Sequence, residues 1–339
     1  MKILCLVSWV PQGRWLWDYI PGNCDTVDFV YIRHPQDRFP GYGKLLGYYQ
    51  KFWWLGLKAL PRLRHYDVIV TWEGNTGLPL AFLRTLLGCT SPPMVILNFV
   101  LKGRPILDML WLVRYALRSV DLIACVSVKE VEYYSQKLDL PTDRFVQLPT
   151  THPDYHQDRV TEIYTGDYIL AAGRSHRDYR TFVEAVRDLP IKAVINARPF
   201  NVAGLAVPPN VTMNPFLPFH EFLTLVRGAR FVVLPLYAAR HASGETFMLE
   251  AMAARKAVIA TETYSTVEFI EPGINGLLVP PGDATAMRQA IQYLLDHPEQ
   301  TQQMGLAARQ MYETRWSFPV IARQVDAILT RLVSEASGR

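Results

Sequence analysis

Short apolar runs alternate with stretches of helical period along this chain, and they do so in two consecutive series. The first series is Ile3–Ser8, Val27–Ile32, Val68–Trp72, Met94–Leu97 and Leu122–Ser127. The second is Tyr168–Ala172, Lys192–Asn196, Val211–Asn214, Phe231–Leu234, Ala257–Thr261 and Gly276–Val279. Continuous apolar runs without polar alternation are strands covered on both faces, and strands alternating with helices make parallel sheets. Two series therefore predict two Rossmann-like α/β domains. The stretch near Thr151–Gly166, beginning THPDYHQDR, is polar and keeps neither period, so the boundary falls there. With 339 residues the chain has room for two domains of about 150 to 170 residues each. In the tail, Ile321, Val325, Ile328 and Leu332 line one face of a last helix.

Half of the residues are hydrophobic and 19% are charged, a balance that builds packed cores and excludes a disordered chain. Cys5, Cys24, Cys89 and Cys125 show no metal-ligand spacing, which predicts reduced thiols in a cytosolic protein and no zinc site. The opening MKILCLVSWV is too short and ends too abruptly at Pro11-Gln12-Gly13-Arg14 for a signal peptide. Ile106–Val126, the most apolar long window, is broken by Asp108, Arg114, Arg118 and Asp121, so membrane contact is expected to be peripheral. No Asp-x-Asp follows a strand, and Asp154 and Asp158 read as solvated linker residues, so no metal is expected.

Residues 243–283, SGETFMLEAMAARKAVIATETYSTVEFIEPGINGLLVPPGD, hold the densest site signal. A Ser-Gly turn opens a helix whose free N-terminal amides and dipole suit an anionic ligand, with Glu250 one turn in. On charge pattern alone Glu245 and Glu250 could equally mark only a helix start. The words LEAMA, AVIAT and NGLLVPPGD, together with YILAAGRSHRDYRTFVEA at 168–185 and FLPFHEFLTLVRGARFVVLPL at 216–236, resemble glycosyltransferase family 4. The likeness runs over 168–315; the N-terminal half resembles the family only in strand and helix order.

That resemblance implies the GT-B fold: an α/β chain of two Rossmann-like domains whose parallel sheets face across a cleft. The expected domains are 1–155 for the acceptor, 156–316 for a nucleotide sugar, and 317–339 as a helix returning to the N-terminal domain. It further implies a retaining hexosyltransferase that needs no metal or other cofactor and uses a UDP- or GDP-sugar. Arg174 and Arg177, following Gly173 after the strand Tyr168–Ala172, would neutralise the diphosphate. Glu250 matches the family's second glutamate, which binds the ribose. Where the first glutamate would stand, eight positions earlier, this chain has Ala242. The sugar would then be held by the Glu245 side chain, by the backbone amides of Gly244, Glu245 and Thr246 alone, or by His241, with Ser243 and Phe247 also expected at the donor. Gly13 would approach the donor, and Arg198, Phe216 and Leu217 follow the strands where relatives hold the base. Asn98 takes the place of a family histidine, and unlike histidine it cannot act as a base. Glu73 and Asn75, on a loop after a strand, are acceptor candidates, with Ser127 a weaker one.

Residues 38–66 contain no acid. On a helix, Lys44, Lys51, Lys58 and Arg62 would form one cationic stripe, with Trp53 near the opposite side and Trp54 beside it. Paired tryptophans in an acid-free basic run fit a helix lying on an anionic membrane, against the alternative of an ordinary domain helix. The expectation is a cytoplasmic enzyme, peripheral on the inner face of the cell membrane, with a lipid-linked or glycan acceptor. A net charge of only +4 and the lack of a binding motif argue against a nucleic-acid partner. Two other readings stay open: a non-catalytic nucleotide-sugar-binding subunit, and a nucleotide-sugar epimerase of the same fold.

Overall fold

The computed structural model describes residues 1–9, 15–20, 26–32, 44–101, 109–157, 166–215 and 217–338, with backbone alone over 44–49. Gly13, Phe216, Asp158 and the Lys44 side chain, all named above, lie outside the described residues. The chain divides into two compact units, Met1–Pro149 with Pro319–Arg339, and Thr150–Phe318. The last helix, Phe318–Ser337, falls almost wholly in the first unit, and His152 to His156 fall in the second.

Each unit is built on a six-stranded, wholly parallel sheet. In the first unit the strands β1 (Lys2–Val7), β2 (Thr26–Tyr31), β3 (Val68–Thr71), β4 (Met94–Ile96), β5 (Leu122–Cys125) and β6 (Phe145–Gln147) lie in the order β2-β1-β3-β4-β5-β6. In the second, β7 (Tyr168–Ala172), β8 (Lys192–Asn196), β9 (Val211–Asn214), β10 (Val232–Leu234), β11 (Val258–Thr261) and β12 (Gly276–Val279) lie in the order β12-β11-β10-β7-β8-β9. The α/β expectation of two parallel sheets is met. Strand β6 was not foreseen, because three residues carry too little apolar pattern to register.

Several strands stop one or two residues before their apolar runs do. Ser8, Trp72, Leu97, Val126 and Ser127 have left the ladder and start the loops beyond the carboxyl ends of the strands. Ser127 also has a plain structural role: its hydroxyl accepts the Glu130 amide at 3.0 Å as the N-cap of the helix Val128–Leu138. It is fully buried, which removes it as an acceptor-binding candidate.

The core of the first unit gathers Leu4, Ile69, Ile96 and Ile123 from the sheet with Phe52 and Leu55 from the helix Lys44–Ala59. In the second, Ile169, Ile195 and Ile259 pack against Phe182 of the helix Tyr179–Val186 and Ile291 of the helix Ala284–Asp296. Each such side chain stabilises its unit by about 1.5–3 kcal/mol on full burial. Both cores therefore hold the sheet ends rigid enough to aim the loops that follow.

Candidate active site

In the second unit the strand order reverses between β7 and β10, and in an open parallel sheet the crevice for a ligand opens beyond the carboxyl ends of that pair. The two loops that leave these strands are joined to each other. Tyr237 donates its amide to His176 O at 3.1 Å, Asp178 donates to Pro235 O at 3.0 Å, and Ser243 Oγ donates to Ser175 O at 3.2 Å. Beside them lies a cavity of about 290 Å³ lined by His152, Gly173, Arg174, Arg177, Asn196, Leu217, Phe219, Phe222, Thr246, Phe247 and Glu250. Of the residues proposed from sequence, Gly173, Arg174, Arg177, Leu217, Thr246, Phe247 and Glu250 come together around this one cavity.

The two arginines are not equivalent. Arg177 is buried, with Nε donating to Ala172 O at 2.8 Å and Nη1 to Ser175 O at 2.7 Å. Its guanidinium lies against Gly173, whose φ of 115° suits glycine and where an added Cβ would collide with it. Burial lowers the Arg177 pKa from its usual value, against the opposing charges of Tyr179 and Glu245. Nη2 has no hydrogen-bond partner among the described residues. Arg174 is exposed, and its guanidinium is unpaired among the described residues. Both arginines line the cavity, one buried and shaping its loop, the other exposed.

The helix Glu245–Ala253 begins at Gly244, whose φ of 100° is in the left-handed region, and no side chain caps it. Thr246 and Phe247 on its first turn border the cavity, so the helix N-terminus contributes partial positive charge there. Glu245 does not line the cavity. It is buried, and Ser265 Oγ donates to its Oε1 at 2.6 Å. The expected stand-in for the missing glutamate is therefore turned toward the Thr263–Thr266 turn. Ser243 is buried on the loop, His241 stacks edge-on with His176 at 4.5 Å, and Arg198 is exposed as N-cap of the short helix Pro199–Val202. None of these three borders the cavity.

Glu250 is 1% exposed, yet both its oxygens are engaged: His156 Nε2 lies 2.5 Å from Oε1 and His152 Nε2 lies 2.8 Å from Oε2. Burial alone would raise its pKa, and the bonds to the two imidazoles outweigh burial and hold it below the usual carboxylate value. The segment that supplies the histidines is itself anchored. Arg309, buried on the helix Pro298–Met311, grips Asp154 through Nη1 at 3.0 Å and Nη2 at 2.6 Å. Thr151 Oγ1 donates to Trp316 O at 2.6 Å. Asp154 is therefore no solvated linker residue but half of a buried ion pair. His152, His156 and Asp154 were missed because their partners stand about a hundred residues or more away in sequence, and no local period marks them.

Asn196, the last residue of β8, opens the segment Asn196–Pro199 that the family resemblance places at the base. It is 2% exposed, lines the cavity, and its Nδ2 has no partner among the described residues. A buried amide left unpaired costs about 1–3 kcal/mol, which a ligand's hydrogen bond would offset. Among the described residues no cluster of three or more His, Cys, Asp or Glu side chains could hold a metal ion.

In the first unit the strand order reverses between β1 and β3. Ser8 Oγ donates to Glu73 Oε2 at 3.2 Å across that point, and the rings of Trp9, Trp15 and Trp72 meet edge-on there, Trp15 and Trp72 at 4.2 Å. Glu73 is also the N-cap of the helix Gly74–Leu86, its amide donating to Thr76 Oγ1 at 3.3 Å. Asn98 sits just beyond β4 with φ 50°. Asn75 lines a second cavity, of about 280 Å³ and otherwise apolar, with Phe52, Trp53, Pro79, Phe82 and Leu112.

The helix Lys44–Ala59 forms as predicted, but its outer face differs from the lysine stripe. Lys51 is half-buried, and desolvation lowers its pKa although the charge of Glu73 acts to raise it. Arg62 faces Asp28 at 3.5 Å and bonds Tyr66 Oη at 2.8 Å. Among the described side chains of this helix the exposed ones are Trp53, Trp54, Leu57 and Lys58, with Lys58 Nζ over the Trp54 ring at 3.5 Å. Among the described residues no helix is long and apolar enough to cross a membrane.

Residues 167–297 match the family model described as glycosyl transferases group 1. An alpha-D-kanosaminyltransferase of Streptomyces kanamyceticus is 25% identical over 64% of this chain and 62% of its own. This chain thus covers less than two thirds of that relative. A sucrose-phosphate synthase from Thermosynechococcus elongatus superposes with a TM-score of 0.73 at 19% identity, covering 98% of this chain and 99% of that one. The Anabaena protein HepE, solved with UDP and glucose, superposes with a TM-score of 0.68 at 16% identity over 97% of this chain and 99% of its own. These two likenesses are of fold.

Proposed function

Because residues 167–297 match the family model described as glycosyl transferases group 1, we propose that the chain transfers a hexose from a UDP- or GDP-sugar, with retention and without a metal, to a lipid-linked or polysaccharide acceptor at a membrane surface. The observation that carries this reading is the cavity at the β7/β10 crevice, around which Arg174, Arg177, the N-terminus of the helix Glu245–Ala253 and Glu250 come together. The bound UDP of HepE, a protein of the same fold, supports a nucleoside diphosphate as ligand.

In this mechanism the bond between the sugar's anomeric carbon and the β-phosphate oxygen breaks as the acceptor oxygen bonds that carbon on the same face. The acceptor proton passes to the departing phosphate oxygen, so no protein base is required, in keeping with Asn98 where a base would stand. Arg177 Nη2, the Arg174 guanidinium and the helix N-terminus stabilise the negative charge that grows on the diphosphate, the work a metal would otherwise do. Glu250 binds the ribose hydroxyls. Purified protein incubated with labelled UDP- and GDP-sugars should release nucleotide slowly with free sugar. The engagement of Glu245 by Ser265 favours a second reading, a nucleotide-sugar-binding subunit without turnover. Binding without release would favour it, and an altered sugar would indicate an epimerase.

A lipid-linked acceptor is supported by the exposed Trp53, Trp54 and Leu57 and by the apolar cavity that reaches Asn75 near the sheet end. Replacing Trp54 and Leu57 together by glutamate should lower binding to phosphatidylglycerol vesicles by roughly tenfold or more, given about 1.5–3 kcal/mol per large apolar side chain. Unchanged co-sedimentation would dismiss the membrane surface.

A further inference from the structure

We propose that His152 and His156 are positioning residues for the donor, clamping the Glu250 carboxylate so that its remaining lone pairs meet the vicinal hydroxyls of a ribonucleotide. This inference rests on the donor-site reading above and goes beyond it in assigning residues from a segment that carries no family motif.

The geometry asks for such a role. Glu250 is 1% exposed and lines the cavity, and a carboxylate in that setting needs hydrogen-bond donors to stay ionised. It has two, one on each oxygen, at 2.5 and 2.8 Å, from imidazoles four residues apart in the chain. A carboxylate offers about four lone-pair sites, so two bonds to histidine leave others for a ligand. Because each imidazole holds a different oxygen, the carboxylate plane cannot swing about its last bond without breaking a contact. A single donor would leave that rotation open, whereas two fix the direction in which the free lone pairs point.

The two histidines then divide the work. His156 is 3% exposed, does not border the cavity, and its Nδ1 has no partner among the described residues. Its one side-chain hydrogen bond is to Glu250, so a proton on Nε2 satisfies every contact it makes; that proton is assigned from this network. His152 does border the cavity, stacks edge-on with Tyr155 at 5.6 Å, and is anchored through its carbonyl, which accepts from Tyr312 Oη at 2.7 Å. Asp154 between them is held by Arg309, and its Oδ1 accepts the His156 amide at 2.9 Å. The segment is therefore braced at three successive points, far more than a connector needs.

The test compares affinities for UDP and GDP with those for their 2′-deoxy counterparts, measured by calorimetry on the full chain. In wild-type protein the ribonucleotide should bind roughly ten- to a hundredfold more tightly, the value of a hydrogen bond to a charged group. His152→Leu and His156→Leu should lower ribonucleotide affinity by about that factor and leave deoxynucleotide affinity unchanged, collapsing the ratio. His152→Gln and His156→Gln, whose amide nitrogen reaches the place of Nε2, should restore it. Should His156→Leu fail to fold, the part-exposed His152 carries the comparison alone. Leucine variants that keep the wild-type ratio, or lose affinity for both nucleotides equally, overturn the clamp. Wild-type protein that binds both sugars of the nucleotide pair equally also overturns it while leaving the donor site standing. Wild-type protein that binds none of the four overturns the donor-site reading and the clamp together.

Discussion

Arg174→Ala should cut turnover by about two to three orders of magnitude, the usual effect of removing one group that stabilises charge growing in a transition state. The Arg174 guanidinium is exposed and unpaired among the described residues, so its loss disturbs no packing. The unfolding free energy should stay within the range of an ordinary surface substitution, about 0.5 kcal/mol either way. Arg177→Ala is the instructive contrast. Its Nε and Nη1 tie the loop to Ala172 O and Ser175 O, so that variant should lose both activity and stability. Turnover by Arg174→Ala equal to wild type would remove Arg174 from the chemistry, and a large drop in melting temperature would show that its role is structural.

Arg309→Met should destabilise the second unit by about 3–5 kcal/mol, because it leaves Asp154 buried without its counter-charge. For a unit of this size that corresponds to a fall of roughly 6–20 °C in melting temperature. Burial opposes charge on Arg309, but the bonds to Asp154 and Glu313 prevail and raise its pKa. Only one of those two partners matters for stability. Asp154 is buried with the arginine, whereas Glu313 is half exposed and its i,i+4 pair lies partly in water. Glu313→Gln should therefore cost under about 1 kcal/mol. Denaturant unfolding of both variants at one pH checks the contrast, and equal losses would contradict the burial argument. Arg309→Met should also weaken nucleotide binding, because the His152 to His156 segment loses its anchor.

The fold was legible because its signal is local and repeated. Apolar runs such as Ile169–Ala172 and Val258–Thr261 have no polar face to offer solvent, and a parallel sheet is the structure that covers both sides. Strand ends were harder to place. Ser8, Trp72 and Ser127 are as strand-like as their neighbours in composition, and leave the ladder only because the chain turns into a loop or helix there. Half of the site was legible for a related reason. Gly173, Arg174 and Arg177 directly follow one strand, and Thr246, Phe247 and Glu250 open one helix, so topology carries each group to the same end of the sheet.

The rest depended on contacts over long stretches of chain. The orientation of Glu245 is set by Ser265, twenty residues on, and charge pattern cannot show which way a helix-start carboxylate turns. The lysine stripe assumed that like residues at helical spacing share a solvent face, but Lys51 lies near Glu73 and Arg62 is drawn to Asp28. Among the described side chains, the exposed face of that helix is made by Trp53, Trp54, Leu57 and Lys58.

By itself the amino-acid sequence determined two parallel α/β sheets, the crevice end of the second, and the arginines and helix start that come together there. Those features follow from hydrophobic period and chain order, which act between near neighbours. The tertiary structure alone decided that THPDYH is a braced part of the second unit, that Asp154 is buried against Arg309, and that Glu250 is held from both sides by His152 and His156. A buried charge is stable only beside its partner, and here each partner stands 94 to 155 residues away in the chain.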